Sequence, residues 1–187
     1  MFYNLFPKFK VVEINNVAAL RMGHVIAQTP AYVSGDGAIV TPTAVGTAKV
    51  IENGLIVGLD SSNRLANFNA TKHSQPCLIY TEELMTGSVI EGLDQYANVV
   101  NYKDGEGDEY AYVRALPLNL GDTFTTNNVV KIEEGKTFAK VTNGRLELEA
   151  AASADTMFIA KKTTLPAGQD AVEFTYIGKA MSPASGN

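Results

Sequence analysis

The chain has 187 residues, 45% hydrophobic and 19% charged, a globular composition; a chain of about 150 residues already buries roughly 70% of its unfolded surface, so a core needs no disulfide or metal staple. A net charge of −5, with no basic run longer than Lys161-Lys162, lacks the clustered cations that neutralise phosphates, and nucleic acid is excluded as a partner. The lone cysteine, Cys77, rules out an internal disulfide framework and a cysteine-based zinc site. No stretch approaches the roughly 18 apolar residues of a membrane helix, and residues 1–10, broken by Asn4, Pro7, Lys8 and Lys10, do not read as a signal peptide. Synthesis in a reducing, cytoplasm-like setting, with no membrane partner, is the expectation.

In chain order, residues 1–16 open with Phe2, Tyr3, Leu5, Phe6 and Phe9 on a segment too short, and too broken by Pro7, to bury its rings on a helix. Residues 18–28 form a mixed apolar stretch, and residues 31–40 are interrupted by the turn Ser34-Gly35-Asp36-Gly37. Residues 50–51 and 55–59 flank Asn53-Gly54, a strong hairpin signal. The single helix candidate is 81–95, weakened by Gly87 and Gly92. Residues 97–102 and 110–116 read as a hairpin with an acidic, glycine-rich tip over 103–109. Strands follow over 129–133, 137–141 and 145–149, split by Glu134-Gly135 and Asn143-Gly144, and then over 157–161 and 171–177. Arg145-Leu146-Glu147-Leu148-Glu149 alternates strictly, as a strand with one buried face does, and so does Val172-Glu173-Phe174-Thr175-Tyr176.

A repeat runs through this pattern. Residues 51–87 slide onto 132–168 without a gap, placing Ile51-Glu52 on Ile132-Glu133, Gly54 on Gly135, Arg64-Leu65 on Arg145-Leu146 and Leu84 on Leu165. The identities are few, and shared turn chemistry competes with duplication as their source. The expected fold is therefore mainly β: a sandwich or barrel of short antiparallel strands, or two similar β-modules. The expected division is an extended arm over 1–16, a first module with its hairpin over 17–109, a second module over 110–181 and a polar tail over 182–187.

Chemistry is sparse. His24 and His73 have no metal-binding spacing between them; the first reads as a strand-edge side chain and the second as part of a polar loop. Cys77, in Pro76-Cys77-Leu78-Ile79, reads as an inert buried hydrophobe. Asp104, Glu106 and Asp108 on the hairpin tip are the best metal candidates, offering hard oxygens to calcium, but they lack an EF-hand's spacing, and a solvated tip is the favoured reading. No cofactor motif and no catalytic constellation are found, and the expectation is a protein that is not an enzyme.

The run Arg114-Ala115-Leu116-Pro117-Leu118-Asn119-Leu120-Gly121-Asp122-Thr123-Phe124-Thr125-Thr126-Asn127, with the Asn143-Gly144-Arg145-Leu146 turn and Thr164-Leu165-Pro166-Ala167-Gly168, resembles tailed-bacteriophage capsid cement, or head decoration, proteins. The likeness spans residues 110–177. It implies a β-protein on the exterior of the virion capsid, bridging neighbouring major capsid subunits and copies of itself, without catalysis or cofactor. The ring-rich residues Phe2, Tyr3, Leu5, Phe6 and Phe9 are the expected partner-binding set, because aromatics are enriched in interface cores. Two other readings stand beside it: a head-fibre or baseplate component, and a carbohydrate-binding β-sandwich, the latter disfavoured by the absence of Trp.

Overall fold

A computed structural model describes residues 10–32, 39, 44–45, 48–49, 51–70, 72–80, 102–103, 109–166 and 168–178. Its elements in chain order are Val12–Asn16 (β1), Ala18–Met22 (α1), Ile26–Tyr32 (β2), Ala44–Val45 (β3), Ala48–Lys49 (β4), Ile56–Leu59 (β5), Leu65–Asn67 (β6), Cys77–Ile79 (β7), Tyr102–Lys103 (β8), Glu109–Pro117 (β9), Thr123–Thr126 (β10), Phe138–Thr142 (β11), Arg145–Glu149 (β12), Thr156–Thr164 (β13) and Asp170–Tyr176 (β14). The protein is mainly β, as its turn-punctuated sequence implies.

Two six-stranded sheets carry the fold: β2-β6-β5-β7-β9-β8, and β1-β10-β14-β13-β11-β12; β3 and β4 pair separately. In the first, β2 also pairs with β9, so β2-β6-β5-β7-β9 closes into a ring of five strands. The closing contact is one parallel pair, Ala31 with Leu65. The second sheet repeats this plan. Its strands run β10-β14-β13-β11-β12, and an isolated parallel bridge from Val129 to Leu146 joins the last strand back to the segment after β10. Read in chain order within each module, β2, β5, β6, β7 and β9 occupy the same places as β10, β11, β12, β13 and β14.

The gapless alignment read from the sequence places β6 on β12, with Arg64 over Arg145 and Leu65 over Leu146, and β7 within β13. The closing bridges land on these two equivalent leucines. The central strand needs a slip of one residue, because Ile56 pairs with Leu78 whereas Phe138, not Thr137, pairs with Ile159. The slip comes from the turns: Leu59 faces Leu65 across a longer loop, while Thr142 faces Arg145 across Asn143-Gly144 alone.

Burial explains the apolar runs that do not alternate. In β5, Val57 points into the core of the first ring with Leu55, Leu65, Ile79 and Val113, while Ile56 belongs to the core shared with the second module. Leu78 and Leu116 likewise face the second module, and their neighbours Cys77 and Ala115 face the first ring. A strand covered on both faces has no reason to alternate. The second core centres on Phe124, Phe158 and Phe174, all fully buried, with ring centroids 5.7–6.0 Å apart in tilted and edge-on geometries.

Four expectations change. Residues 12–16, placed in an extended arm outside the modules, form β1, an edge strand on β10 with Val12 buried. Asn53-Gly54 does not turn a hairpin: β5 pairs with β6 and β7 instead, and Gly54 N–H donates to the Ile79 carbonyl (3.0 Å). Of 129–133, Val129 alone makes a bridge, and the following residues form no strand. The division between 109 and 110 would cut β9, which pairs only within the first sheet, so the sheet pairing puts the junction after Pro117. The helix candidate 81–95 lies outside the described residues.

Candidate functional site

The two modules meet along a seam with a cleft beside it. At one end of the seam the Asn53-Gly54 turn presses on the segment after β10. Gly54 has φ +86°, and a Cβ there would lie 2.6 Å from Thr126 Oγ1 and 2.9 Å from Asn128 Cβ, so only glycine fits. Asn128 Nδ2 donates to the Asn53 carbonyl (2.7 Å), and Asn128 N–H donates to Thr126 Oγ1 (3.0 Å). Thr126 Oγ1 in turn donates to the Val11 carbonyl (2.8 Å), while Val11 N–H donates to Asn127 Oδ1 (2.9 Å). The chain entering β1 is thus pinned where the two modules touch. At the far end of β1, the buried Asp122 carboxylate accepts from Ala18 N–H at the start of α1 (3.0 Å) and from Asn119 N–H (2.8 Å).

The Asn143-Gly144 turn makes the second tie. Ile56 N–H donates to the Gly144 carbonyl (2.7 Å), and a Cβ on Gly144 would stand 2.5 Å from Asn67 Oδ1. Asn143 takes φ +48° and Gly144 φ +75°, the left-handed pair that a two-residue hairpin requires.

This turn, the β5–β6 loop and the β6–β7 loop line two adjoining cavities. One, about 610 Å³, is bordered by Asp60, Ser61, Asn67, Phe68, Lys72 and His73 among others. Its neighbour, about 460 Å³, is bordered by Ala70, Lys140, Val141, Thr142, Asp155 and Met157 among others. Phe68, Asn69 and Asn143 border both.

Two of the charged groups lining the cleft, Asp60 and Lys140, are held by neighbours, while Lys72 and Asp155 are exposed. Asp60 accepts from the N–H groups of Ser62 (2.8 Å) and Arg64 (2.9 Å) and from Arg64 Nε (3.1 Å), and pairs with Arg64 Nη2 (3.1 Å). Partial burial pushes its carboxyl upward, but these donors outweigh it and hold Asp60 below the usual carboxylate range. Lys140 lies 3.3 Å from Glu149 and 3.9 Å from Glu147.

His73 is a packing residue. It is 8% exposed, its ring lies so close to Gly58 that a Cβ there would come within 2.4 Å of it, and Phe68 stands 5.9 Å away. His73 Nδ1 accepts from Asn69 N–H (3.0 Å), which requires that nitrogen to carry no proton. Burial lowers the imidazole below its ordinary value, with Asp60 opposing and Lys72 assisting. His24, by contrast, is exposed and follows the left-handed Gly23 that ends α1.

Cys77 is buried, and its thiol is pushed up to about 12 by that burial, which leaves no thiolate for nucleophilic work. Among the described residues no three His, Cys, Asp or Glu side chains gather as a metal centre, and no helix is long and apolar enough to cross a membrane. Asp104, Glu106 and Asp108 lie outside the described residues, as do Phe2, Tyr3, Leu5, Phe6 and Phe9. The cleft itself was not anticipated from the sequence. Asn143 is distant in the chain from Asn67 and Asn69, and its one signal, Asn143-Gly144, reads locally as a turn. No protein-family model, curated protein or solved structure matches the chain.

Proposed function

We propose that this is a non-enzymatic structural protein of a tailed-phage virion, docking on the outside of the capsid and stabilising contacts between major capsid subunits and with neighbouring copies of itself. The observation that carries the reading is the entry of the chain. Val11 is bonded to Asn127 and Thr126, and β1 is the edge strand of the second sheet. Val11, two residues beyond the ring-rich set Phe2, Tyr3, Leu5, Phe6 and Phe9 in the sequence, is therefore tied to the rim of a packed β-module. Each such side chain contributes about 1.5–3 kcal/mol when fully buried in a partner, and several together offset the entropy lost in ordering a short segment. Two modules joined by close backbone contacts at Gly54 and Gly144 add stiffness, which suits a protein that clamps a shell under load.

The test is co-sedimentation with undecorated capsids, comparing the full chain with one lacking residues 1–9. The deletion stops short of the Val11–Asn127 bond and of β1, so the truncated chain is expected to fold and to lose attachment. Equal attachment by both would remove the segment as the anchor, and attachment by neither would overturn the capsid reading itself.

A further inference from the structure

We infer that the outer face of the second module, centred on Ile159, packs against the same face of a second copy of this chain to make a two-fold dimer. The inference goes beyond the capsid reading and does not rest on it. It comes from the repeated strand plan. In the first module Ile56 pairs with Leu78 and Leu78 with Leu116, so the three side chains form one row across β5, β7 and β9. Leu118 continues the row, its N–H donating to the Pro76 carbonyl (2.9 Å). All four are buried in the core shared with the second module, so this is the face by which the first module holds its neighbour.

The second module builds the same row. Phe138 pairs with Ile159 and Ile159 with Thr175, and Ile177 N–H donates to the Met157 carbonyl (2.9 Å). Phe138, Ile159, Thr175 and Ile177 therefore stand where the first module has Ile56, Leu78, Leu116 and Leu118. The inner faces match as well, Cys77 and Ala115 corresponding to the buried Phe158 and Phe174. What differs is the cover. Ile159 is 46% exposed and Ile177 39%, while Phe138 and Thr175 are half-buried. Leu120, 74% exposed, extends the patch past Gly178, where a Cβ would lie 2.9 Å from its Cδ2. The terminal module of a repeat array ordinarily turns a polar face outward; here three of the four positions stay apolar.

The fold itself names the occupant. Within one chain such a face meets another module of the same plan, and the first module's face is already covered. A second copy supplies the same open face, and two copies meeting face to face cover both at once, the isologous contact of a two-fold dimer. The rim suits this pairing. Lys161 and Glu173 face each other across β13 and β14, two residues along from Ile159 and Thr175, so each copy brings both signs of charge. Thr175 in place of Leu116, and Glu149 beside Phe138 where Phe68 lies beside Ile56, let the face meet water before it pairs.

The experiment is sedimentation velocity of the full-length protein, without capsids, over about 1–500 µM. The expected result is a reversible monomer–dimer equilibrium whose Kd rises about tenfold or more in Ile159→Lys, because like charges then meet near the two-fold axis. Ile177→Ser, which adds no charge, weakens the dimer too, and Tyr112→Ser, at a half-exposed position of the first module, leaves it unchanged. Circular dichroism confirms that each variant is folded. The inference is overturned if the wild type stays monomeric throughout, if it grows beyond a dimer, if Ile159→Lys and Ile177→Ser both associate as the wild type does, or if Tyr112→Ser weakens the dimer as strongly. Capsid co-sedimentation reads residues 1–9, so failure of either test leaves the other standing.

Discussion

Replacing Gly54 by alanine probes the tie between the modules. Two penalties combine. A left-handed backbone, here φ +86°, costs an L-residue about 1–2 kcal/mol. The new methyl would also lie 2.6 Å from Thr126 Oγ1 and 2.9 Å from Asn128 Cβ, and overpacking of this kind costs about 1–3 kcal/mol more. Thr126 cannot simply step aside, because its hydroxyl joins the Val11 carbonyl to Asn128 N–H. Gly121→Ala supplies the control: its φ is +87°, yet nothing lies within 4 Å of the added Cβ, so it carries the backbone penalty alone. Urea unfolding followed by far-ultraviolet circular dichroism should therefore separate the two variants by about 1–3 kcal/mol. With a denaturant slope of about 2 kcal/mol/M, that is a midpoint difference of about 0.5–1.5 M. Equal midpoints for Gly54→Ala and Gly121→Ala would refute the close approach of the two modules at this turn.

Two further outcomes are expected. His73 is depressed below its ordinary value of 6.5 in the folded state, so the unfolded chain takes up a proton first as pH falls. Its contribution to stability is intact above about pH 6.5 and declines from there toward its folded value; wild type should lose stability relative to His73→Asn across that window, and parallel curves for the two would contradict the neutral, bonded imidazole. Cys77, buried with its thiol near 12, should resist a thiol reagent at neutral pH in the native state and react once the chain is unfolded by urea; prompt labelling of the native protein would show that β7 is not sealed between two cores.

What was legible in the sequence was whatever local chemistry encodes. The alternation of Arg145–Glu149 places Leu146 and Leu148 inward, as found. The Asn143-Gly144 hairpin formed because two consecutive residues accept left-handed backbone. The repeat alignment located two matching strand pairs, β6 with β12 and β7 with β13, and missed β5 with β11 by one residue because the turns that follow them differ in length. Local signals failed where a tertiary partner outbid them. Asn53-Gly54 carries the same turn chemistry, but its N–H is taken by Ile79 and its surface by Thr126, so it became a contact between modules rather than a hairpin. β1 and β10 were missed because Val-Glu-Ile-Asn-Asn and Thr-Phe-Thr-Thr are weak patterns until they pair with each other and with β14.

The sequence by itself determined a β-protein with turns at given places, an inert cysteine and a repeated strand plan, because each of these depends on neighbours a few residues away. Only the tertiary structure decided that the plan closes into rings through Leu65 and Leu146, and that one wall of the first ring is buried on both faces. It also decided that Asn143 shares a cleft with Asn67 and Asn69, since residues so far apart in the chain meet only after the two modules have packed.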